Sequence, residues 1–534
     1  MITAMTPYEL KDRPAFSTRA DDEFVGDRDA VVLLRLGKKP VLKRTFGVLS
    51  ILGLSCTILG TWEGLLSTFT IALTNGGSAG AVYAYIFAWV GTTCCFLILA
   101  EMASMAPTSG GQYHWCAMLS PIRYMKFLSY ITGWLAVIGW QAGFASAAYL
   151  CGTQIQGVAI LAHETYKAMS YQGTLIMWAS IAVALLCNLV GGKFLPRLEG
   201  FLLIVHILGF FGIVIPLTCM ADHKSNHEVF LDFLNGGNFA TQGLSWFVGI
   251  SGCVFAFAGG DAAVHMAEEV ENASVVIPRA IMFSVLINGS LGFGMLIGVL
   301  YCVGNIDDAL KTPTGYPYIE IFYQGTGSMG GTLTMCSILL IIGIASVIGM
   351  LAATSRQFWS FARDHGVPGW RFWTQVSSRH LPLYSILLTT IVATLLGIIN
   401  IGSDVALNDI LSMAVSGIYS SYLIAGTLLL YRRCKSEITQ YSESQDMKIN
   451  VPGAKLIWGP FHVPGIWGTL INGYAVIYMM IVIFFSYWPS RMNPSVEDMN
   501  YSVVGTGGTV FLAIVYYFLR ARHIYQGPVM ETSQ

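Results

Sequence analysis

Two carboxylates lie inside long apolar stretches of the sequence. Glu63 falls within the apolar residues 46–72, and Asp261 falls well within the apolar residues 243–266. A carboxylate at the centre of a membrane helix costs about 2.5–3.5 kcal/mol on insertion scales, so it normally faces a bundle interior or water. Each acid can hold a cationic substrate group or carry a proton. The alternatives are a structural hydrogen-bond acceptor for Asp261 and an outer-vestibule position for Glu63.

Glycine and small polar residues interrupt both stretches near their middles. The first reads GLSCTILGTWEG from Gly53 to Gly64, and the second reads GISGCVFAFAGGDAA from Gly249 to Ala263. Helices broken in this way offer free backbone groups to substrates and ions at the middle of a membrane. The alternative is that these glycines only let membrane helices pack closely.

The broken stretches contain groups that suit both ends of a small amino compound. An unwound backbone at Gly60 and Thr61 would offer N–H groups and a hydroxyl to a carboxylate. The aromatic faces of Trp62 and Phe257 would close over a substrate and suit a quaternary ammonium, with ordinary packing as the alternative for Trp62. The predicted substrate-binding residues are Gly60, Thr61, Trp62, Glu63, Phe257, Gly259, Gly260 and Asp261. Of these, Asp261 and Glu63 are the candidates for proton coupling.

The composition excludes several classes of protein. Of the 534 residues, 54% are hydrophobic and 11% are charged, whereas a soluble chain is about 25% charged. A net charge of −1 does not suit nucleic-acid binding. The eleven cysteines form no C-x-x-C pair and no cluster with metal-ligand spacing. With no P-loop, zinc-protease or nucleophile-elbow motif, the sequence predicts no enzyme, no cofactor and no metal site.

Twelve apolar stretches are long enough to cross a bilayer as helices, which requires roughly 20 residues. We number them as spans 1–12, at residues 46–72, 80–104, 126–151, 173–191, 198–220, 243–266, 280–302, 332–353, 383–400, 407–431, 466–487 and 502–519. With the N-terminus inside, the outer loops contain few basic residues, namely Lys167, Lys224, Lys311 and Arg491. The positive-inside rule therefore predicts cytosolic N- and C-termini.

The loop lengths indicate how the spans are grouped. The longest internal loop joins spans 10 and 11, which favours ten spans plus two over six plus six. Spans 1 and 6 are the interrupted ones and lie five apart, as in an inverted-repeat transporter. The predicted units are a disordered cytosolic tail (1–45), a first five-helix repeat (46–220), a second repeat (221–431), a cytosolic loop (432–465), helices 11 and 12 (466–519) and a cytosolic tail (520–534).

Polar and charged residues collect at the predicted cytosolic ends of the spans. We predict an inner gate formed by Glu101, Gln112, Tyr113, Glu268, Glu269 and Arg356, its acids pairing with Arg123, Lys126, Arg279 or Arg356. The alternative is that these are solvated helix ends, where exposed ion pairs contribute only about 0–1 kcal/mol. Asn500 lies in an N-x-S sequon in a predicted outer loop and is a possible glycosylation site.

Five ordered motifs carry a family resemblance. Residues 106–115 read APTSGGQYHW, residues 257–263 read FAGGDAA, residues 265–273 read HMAEEVENA, residues 277–281 read IPRAI and residues 355–364 read SRQFWSFARD. They resemble motifs of the amino acid–polyamine–organocation permeases, and those after residue 264 resemble the fungal amino acid, choline and GABA branch. The resemblance covers about residues 40–520. It fails at Glu63, where branch members have an apolar residue.

The resemblance implies an all-α membrane protein of twelve helices, with a five-plus-five inverted repeat and two trailing helices. It also implies alternating-access secondary transport of a small amino compound such as an amino acid, GABA or choline. Proton-coupled import is the family's usual mode. A non-transporting nutrient sensor, an exporter and a channel are the alternatives, and short tails favour a carrier over a sensor. The plasma membrane is the expected location, with the vacuolar membrane as the alternative.

Overall fold

The computed structural model describes residues 28–163, 165–190, 194–402, 406–441, 449–496 and 499–531. The fold is almost entirely helical. In chain order the helices are α1 (Arg28–Arg35), α2 (Val48–Leu59), α3 (Thr61–Met105), α4 (Gln112–Leu119), α5 (Met125–Ala162), α6 (Ser170–Val190), α7 (Leu195–Met220), α8 (Asn226–Phe230), α9 (Gln242–Phe255) and α10 (Ala262–His265). They continue with α11 (Ala273–Cys302), α12 (Ile306–Leu310), α13 (Pro317–Thr326), α14 (Met329–Arg363), α15 (Trp370–Trp373), α16 (Leu383–Gly402), α17 (Ala406–Cys434), α18 (Gly465–Ser486), α19 (Ser502–Tyr516) and α20 (Arg522–Ile524).

Within the described ranges, nine helical segments are long and apolar enough to cross a membrane. The first of them, Val48–Met105, contains predicted spans 1 and 2, and α3 bends between them at Gly77. Predicted spans 6 and 9 coincide with two shorter apolar helices, Gln242–Phe255 and Leu383–Ile399. Several helices expose large apolar side chains that suit contact with lipid, among them Leu186, Val190, Phe201, Leu208, Leu395, Trp467 and Leu512.

Two central helices are longer than the sequence predicts. Span 3 was expected at 126–151 and span 8 at 332–353, whereas α5 has 38 residues and α14 has 35. A helix of 38 residues is about 57 Å long, well beyond the hydrocarbon thickness of about 30 Å. The side chains of α5 are mostly buried against other helices, so protein rather than lipid surrounds it and the bilayer does not limit its length.

Both interruptions that glycine indicates in the sequence are present in the structure. Gly60 has φ 40° and ψ 50°, a left-handed conformation that glycine adopts readily, and it separates α2 from α3. Predicted span 6, over 243–266, is interrupted in the structure, where α9 ends at Phe255. Turns follow, including Gly259 at φ 98°, before the short α10 and a 3₁₀ turn at Ala267–Glu269.

Residues 28–45 are ordered, where the sequence predicts a disordered tail over 1–45; residues 1–27 lie outside the described ranges. Helix α1 buries Ala30 and Leu33, and the N–H groups of Thr45 and Phe46 donate to the Glu269 carbonyl at 2.9 and 3.0 Å. We call the side of the bundle that carries residues 28–46 and 522–531 the terminal face.

The loop predicted at 432–465 has structure of its own. Its two-residue strands β1 (Ile438–Thr439) and β2 (Leu456–Ile457) pair in parallel, while residues 442–448 lie outside the described ranges. The Asn450 side chain donates to the carbonyls of Met105 and Ile457 at 3.0 and 2.9 Å. This segment is therefore packed against the end of α3.

Candidate functional site

A cavity of about 90 Å³ lies where the break between α2 and α3 faces the break after α9. Helices α5, α14 and α17 complete its wall, which is mostly apolar. The lining residues that matter below are Thr57, Gly60, Glu63, Ser67, Gln154, Phe255, Gly259 and Ser346. A larger cavity of about 460 Å³ shares Ser67 and is also lined by Tyr316 and Arg491. The central cavity thus adjoins a vestibule in the described part of the chain.

Glu63 is the only charged side chain that the described residues contribute to the central cavity wall. Its Oε1 lies 2.6 Å from Nδ1 of His206, a side chain of α7 that is fully buried. Its Oε2 is buried and has no hydrogen-bond partner among the described residues. One carboxylate oxygen is therefore held by histidine, and the other has no protein partner among the described residues although the side chain lines the cavity.

Three of the predicted substrate-binding residues, Gly60, Glu63 and Gly259, line this cavity. Thr61 does not, and its backbone N–H already donates to Asn288 Oδ1 at 3.1 Å. Because that N–H is occupied, it is not available to a substrate carboxylate in this conformation.

The aromatic and remaining glycine residues of the predicted site lie behind the cavity wall. Trp62 is fully buried against the His206 ring, with ring centroids 5.8 Å apart. Phe257 packs on Tyr85 at 5.2 Å, and Gly260 faces the ring of Phe96. Neither Trp62 nor Phe257 lines the cavity, so the predicted aromatic lid over the substrate is not formed in this conformation.

Asp261 lies at the centre of a buried hydrogen-bond cluster and does not line the central cavity. Its Oδ2 accepts from Gln112 Nε2 at 2.6 Å and Trp140 Nε1 at 3.1 Å, and lies 3.0 Å from His265 Nε2. Its Oδ1 accepts from the Tyr422 hydroxyl. The cluster joins the broken span to α4, α5 and α17, the arrangement expected of a structural acceptor.

The charge of this cluster follows from the His265 ring. Its Nδ1 lies 3.0 Å from the Ser109 carbonyl oxygen, which can only accept, so Nδ1 carries a hydrogen. Nε2 faces the carboxylate, and one further proton is shared between them. Since Asp261 already accepts three other hydrogen bonds, the ionised carboxylate with an imidazolium satisfies every polar group of the pair.

Buried ion pairs lie at the terminal face. Arg356 Nε donates to Glu269 at 2.8 Å, and Arg363 donates to Glu268 at 2.8 Å. A third pair joins Glu101 to Arg433 at 2.5 Å. The predicted acids therefore do pair at this face, but two of their three partners differ from the bases expected from the sequence.

The family model for amino acid permeases matches residues 46–509. The chain belongs to the amino acid permease family. It is 30% identical over 457 residues to a putative amino acid/polyamine transporter of Macrophomina phaseolina, covering 84% of this chain and 96% of that protein. It is also 28% identical over 483 residues to a choline transporter of Saccharomyces cerevisiae, covering 89% and 81%. An amino-acid permease of Arabidopsis thaliana is 27% identical over 530 residues, covering 95% and 98%. The permease is thus a multi-pass integral membrane protein and not an enzyme.

The ion pairs of the permease extend into both chain termini. Arg363 also donates to Glu531 Oε1 and Oε2 at 2.6 and 2.5 Å, and Lys38 pairs with Asp364. The Tyr113 hydroxyl donates to Asp364 Oδ2 at 2.9 Å. We call Lys38, Arg363, Asp364 and Glu531, together with Glu268, the terminal clamp, since it ties both ends of the described chain to α14.

The terminal clamp depresses the pKa of two acids. Burial raises the pKa of Asp364, but the charge of Lys38 and a hydrogen bond from the Val529 N–H outweigh it, so the net pKa is low. Burial likewise raises the pKa of Glu531, and hydrogen bonds from Arg363 outweigh it. A depressed folded-state pKa adds stability above the ordinary pKa of about 4, and this stability is lost as pH falls through the depressed value.

Replacing Arg363 by methionine is expected to destabilise the permease by about 3–5 kcal/mol, because Glu268 and Glu531 lose their buried counter-charge. Thermal unfolding of the detergent-purified protein at neutral pH measures the effect. The exposed Arg379, replaced by methionine, is the matched control and should leave the melting temperature unchanged. Equal melting temperatures for both variants would show that the clamp contributes nothing to stability.

Two buried polar side chains of span 5 lie near the candidate site and are not among the residues predicted from the sequence. Glu199 and His206 lie seven residues apart in α7, so they share one helix face, and both are fully buried. The signal that identified Glu63 and Asp261, a polar side chain in an apolar stretch, applies equally to them. Arg363, Arg433, Asp364 and Glu531 were also missed, because only the folded chain brings them to their partners.

The side-chain amide of Asn500 is hydrogen-bonded in the structure. Its Nδ2, the atom that a glycan would modify, donates to the carbonyls of Ser486 and Trp488 at 2.9 and 3.2 Å and to the Ser412 hydroxyl at 3.3 Å. Glycosylation replaces one of the two hydrogens on Nδ2, so modification would remove part of this hydrogen bonding in the loop between α18 and α19.

Proposed function

We propose that this permease is a secondary active transporter that imports a small primary amine by alternating access, driven by protons. The observation that carries the proposal is Glu63, the only charged side chain contributed by the described residues to the cavity wall, with Oε2 unpartnered. A substrate ammonium donating to Oε2 would neutralise this carboxylate. The position of Glu63 beside the break at Gly60 supports a role in the substrate site.

The chemistry of the wall favours a primary ammonium over choline. A quaternary ammonium is best recognised by several aromatic faces, whereas the described wall contains one aromatic ring, Phe255. The wall also contains no basic side chain among the described residues, and the Thr61 N–H is occupied. Polyamines therefore fit best, amino acids and GABA less well, and choline least. The M. phaseolina relative is named as a putative amino acid/polyamine transporter, whose substrates carry such ammonium groups, whereas the S. cerevisiae relative is named as a choline transporter.

The proposed architecture is twelve spans with a five-plus-five inverted repeat, and both termini in the cytosol of a plasma-membrane protein. The two breaks support it, because one lies in span 1 and the other five spans later. With this orientation, the buried pairs Glu269–Arg356 and Glu268–Arg363 are a closed inner gate. Their separation would release the substrate to the cytosol. The vacuolar membrane is the alternative location.

Uptake in cells that lack their own permeases tests the proposed function. Labelled putrescine, GABA, lysine and choline are compared, with and without a protonophore. We expect putrescine to be taken up about tenfold faster than choline, and the protonophore to abolish uptake. Faster choline uptake would contradict the proposed substrate class. If the protein is confirmed at the cell surface but shows no uptake, efflux from preloaded cells would favour an exporter. The absence of both uptake and efflux would favour a sensor.

A further inference from the structure

Glu199 is a carboxyl group that the substrate site does not use. It is fully buried on α7, where Oε2 lies 2.9 Å from the Thr57 hydroxyl. Its Oε1 has no hydrogen-bond partner in the part of the chain that the structure describes. Such a group is either a costly uncompensated charge or a protonated carboxylic acid.

The elements packed against Glu199 bring no counter-charge to it within the described ranges. Helix α2 has no charged side chain, and Gly349 of α14 faces Oε1. The charged side chains of α7, α11 and α14 are engaged or exposed elsewhere: His206 with Glu63, Arg356 with Glu269, Arg363 with Glu268, and Arg197 and Arg279 exposed. An ionised Glu199 would therefore rely on a single hydroxyl.

The hydrogen bonds of Thr57 fit a protonated Glu199. The hydroxyl lies 3.0 Å from the Gly53 carbonyl and 2.9 Å from Glu199 Oε2, but it has only one hydrogen to donate. If Oε2 carries a proton and donates to the Thr57 oxygen, Thr57 can donate to the Gly53 carbonyl. Both contacts are then hydrogen bonds, whereas an ionised Glu199 would have to compete with the carbonyl for one hydrogen.

The position of Glu199 links its charge to movement of α2. A side chain at Gly53 would meet the Glu199 carbonyl oxygen at 2.2 Å, so the backbones of α2 and α7 are in direct contact. Glu199 is fully buried in this conformation, so its carboxyl group becomes hydrated when these helices separate. Thr57 also lines the central cavity, and thus one hydrogen bond connects Glu199 to the substrate site.

We propose that Glu199 is the proton-binding site that couples transport to the proton gradient, a role that rests on the proposed function above. Glu199 is protonated while α2 lies against α7 and the terminal face is closed. When α2 moves away, the O–H bond breaks, the proton passes to water and the carboxylate becomes hydrated. After α2 has returned and the terminal face has closed, a proton from the outer side reaches Glu199 through the central cavity and Thr57 and forms the O–H bond again, so each cycle carries one proton inward. Asp261 remains paired with His265 throughout and carries no coupled proton.

Infrared spectroscopy of the purified permease tests proton binding directly, without a substrate. We expect wild type at neutral pH to show a protonated-carboxyl C=O band that Glu199→Gln lacks. Glu271→Gln, which changes an exposed acid of the terminal face, is the control and should retain the band. Retention of the full band by Glu199→Gln would overturn the proposal. Thr57→Val, which removes the hydrogen bond, should shift the band.

Proteoliposomes test the coupling, with labelled putrescine as the probe. A gradient of about one pH unit, coupled to one proton, supports about tenfold accumulation by wild type. We expect Glu199→Gln to lose this accumulation while retaining putrescine counterflow within about twofold. Accumulation by Glu199→Gln equal to wild type, or loss of counterflow, would overturn the role of Glu199. If the pH gradient does not drive putrescine accumulation by wild type either, the proposed proton coupling is wrong. The infrared band alone then decides whether Glu199 binds a proton.

Discussion

Replacing Glu63 by glutamine is expected to weaken binding of putrescine by about 30-fold to several thousand-fold. Removing one partner of a buried, hydrogen-bonded charge pair costs about 2–5 kcal/mol, and each 1.4 kcal/mol is about tenfold in affinity. Glutamine keeps the shape of Glu63 and an oxygen that can accept from His206 Nδ1, so the local fold is preserved. The loss then reports the missing charge.

Direct binding of labelled putrescine to the purified permease measures this effect. The matched control is Asp409→Asn, because Asp409 lines a neighbouring cavity and accepts from the Tyr501 N–H at 2.9 Å but does not line the central one. The affinity of the Asp409→Asn variant for putrescine should remain within about twofold of wild type. Equal affinities for Glu63→Gln and wild type would contradict an ammonium site at Glu63.

The sequence predicts that Glu63 faces the site, and the same helical geometry also predicts that Trp62 points elsewhere. Consecutive residues of a helix point about 100° apart, whereas residues three apart share a face. Gly60 and Glu63 therefore line the cavity together, while Trp62 points toward His206 on α7. The expectation of an aromatic lid came from residue type alone and ignored this rotation.

The surroundings of Asp261 were not accessible from the sequence. Its partners Gln112, Trp140 and Tyr422 lie 149, 121 and 161 residues away along the chain. Composition identifies a carboxylate in an apolar stretch, but only tertiary packing decides whether its hydrogen bonds come from protein or from substrate. The same limit applies to the terminal clamp, where Lys38 meets Asp364 across 326 residues.

Glu63 and Asp261 therefore represent two uses of one sequence feature. Both are buried acids beside a glycine break and near a histidine, but Glu63 keeps one oxygen unpartnered and faces a cavity. Asp261 has both oxygens engaged and faces side chains from three other helices. An acid with all its hydrogen bonds satisfied by protein suits a structural role, whereas an acid that has an unpartnered oxygen and also lines a cavity suits contact with a ligand.

Replacing Asp261 by alanine is expected to destabilise the permease by about 3–5 kcal/mol, because the buried cluster loses its central acceptor and each buried donor left unsatisfied costs about 1–3 kcal/mol. Gln112, Trp140 and Tyr422 lose their acceptor in the same change. Since a folded protein has about 5–15 kcal/mol of stability in total, we expect most of the Asp261→Ala protein to be missing from the cell surface. Surface labelling and thermal unfolding of the purified remainder measure both effects.

Asp261→Asn distinguishes this structural role from substrate contact. Asparagine keeps one acceptor oxygen for the cluster, so enough protein should fold for transport measurements. We expect the surviving protein to take up putrescine with a lower maximal rate per cell but with a KM within about twofold of wild type, because Asp261 does not line the cavity. A KM raised as far as that of Glu63→Gln would instead mean that Asp261 reaches the substrate, and that the span broken after α9 rearranges during the cycle to expose it.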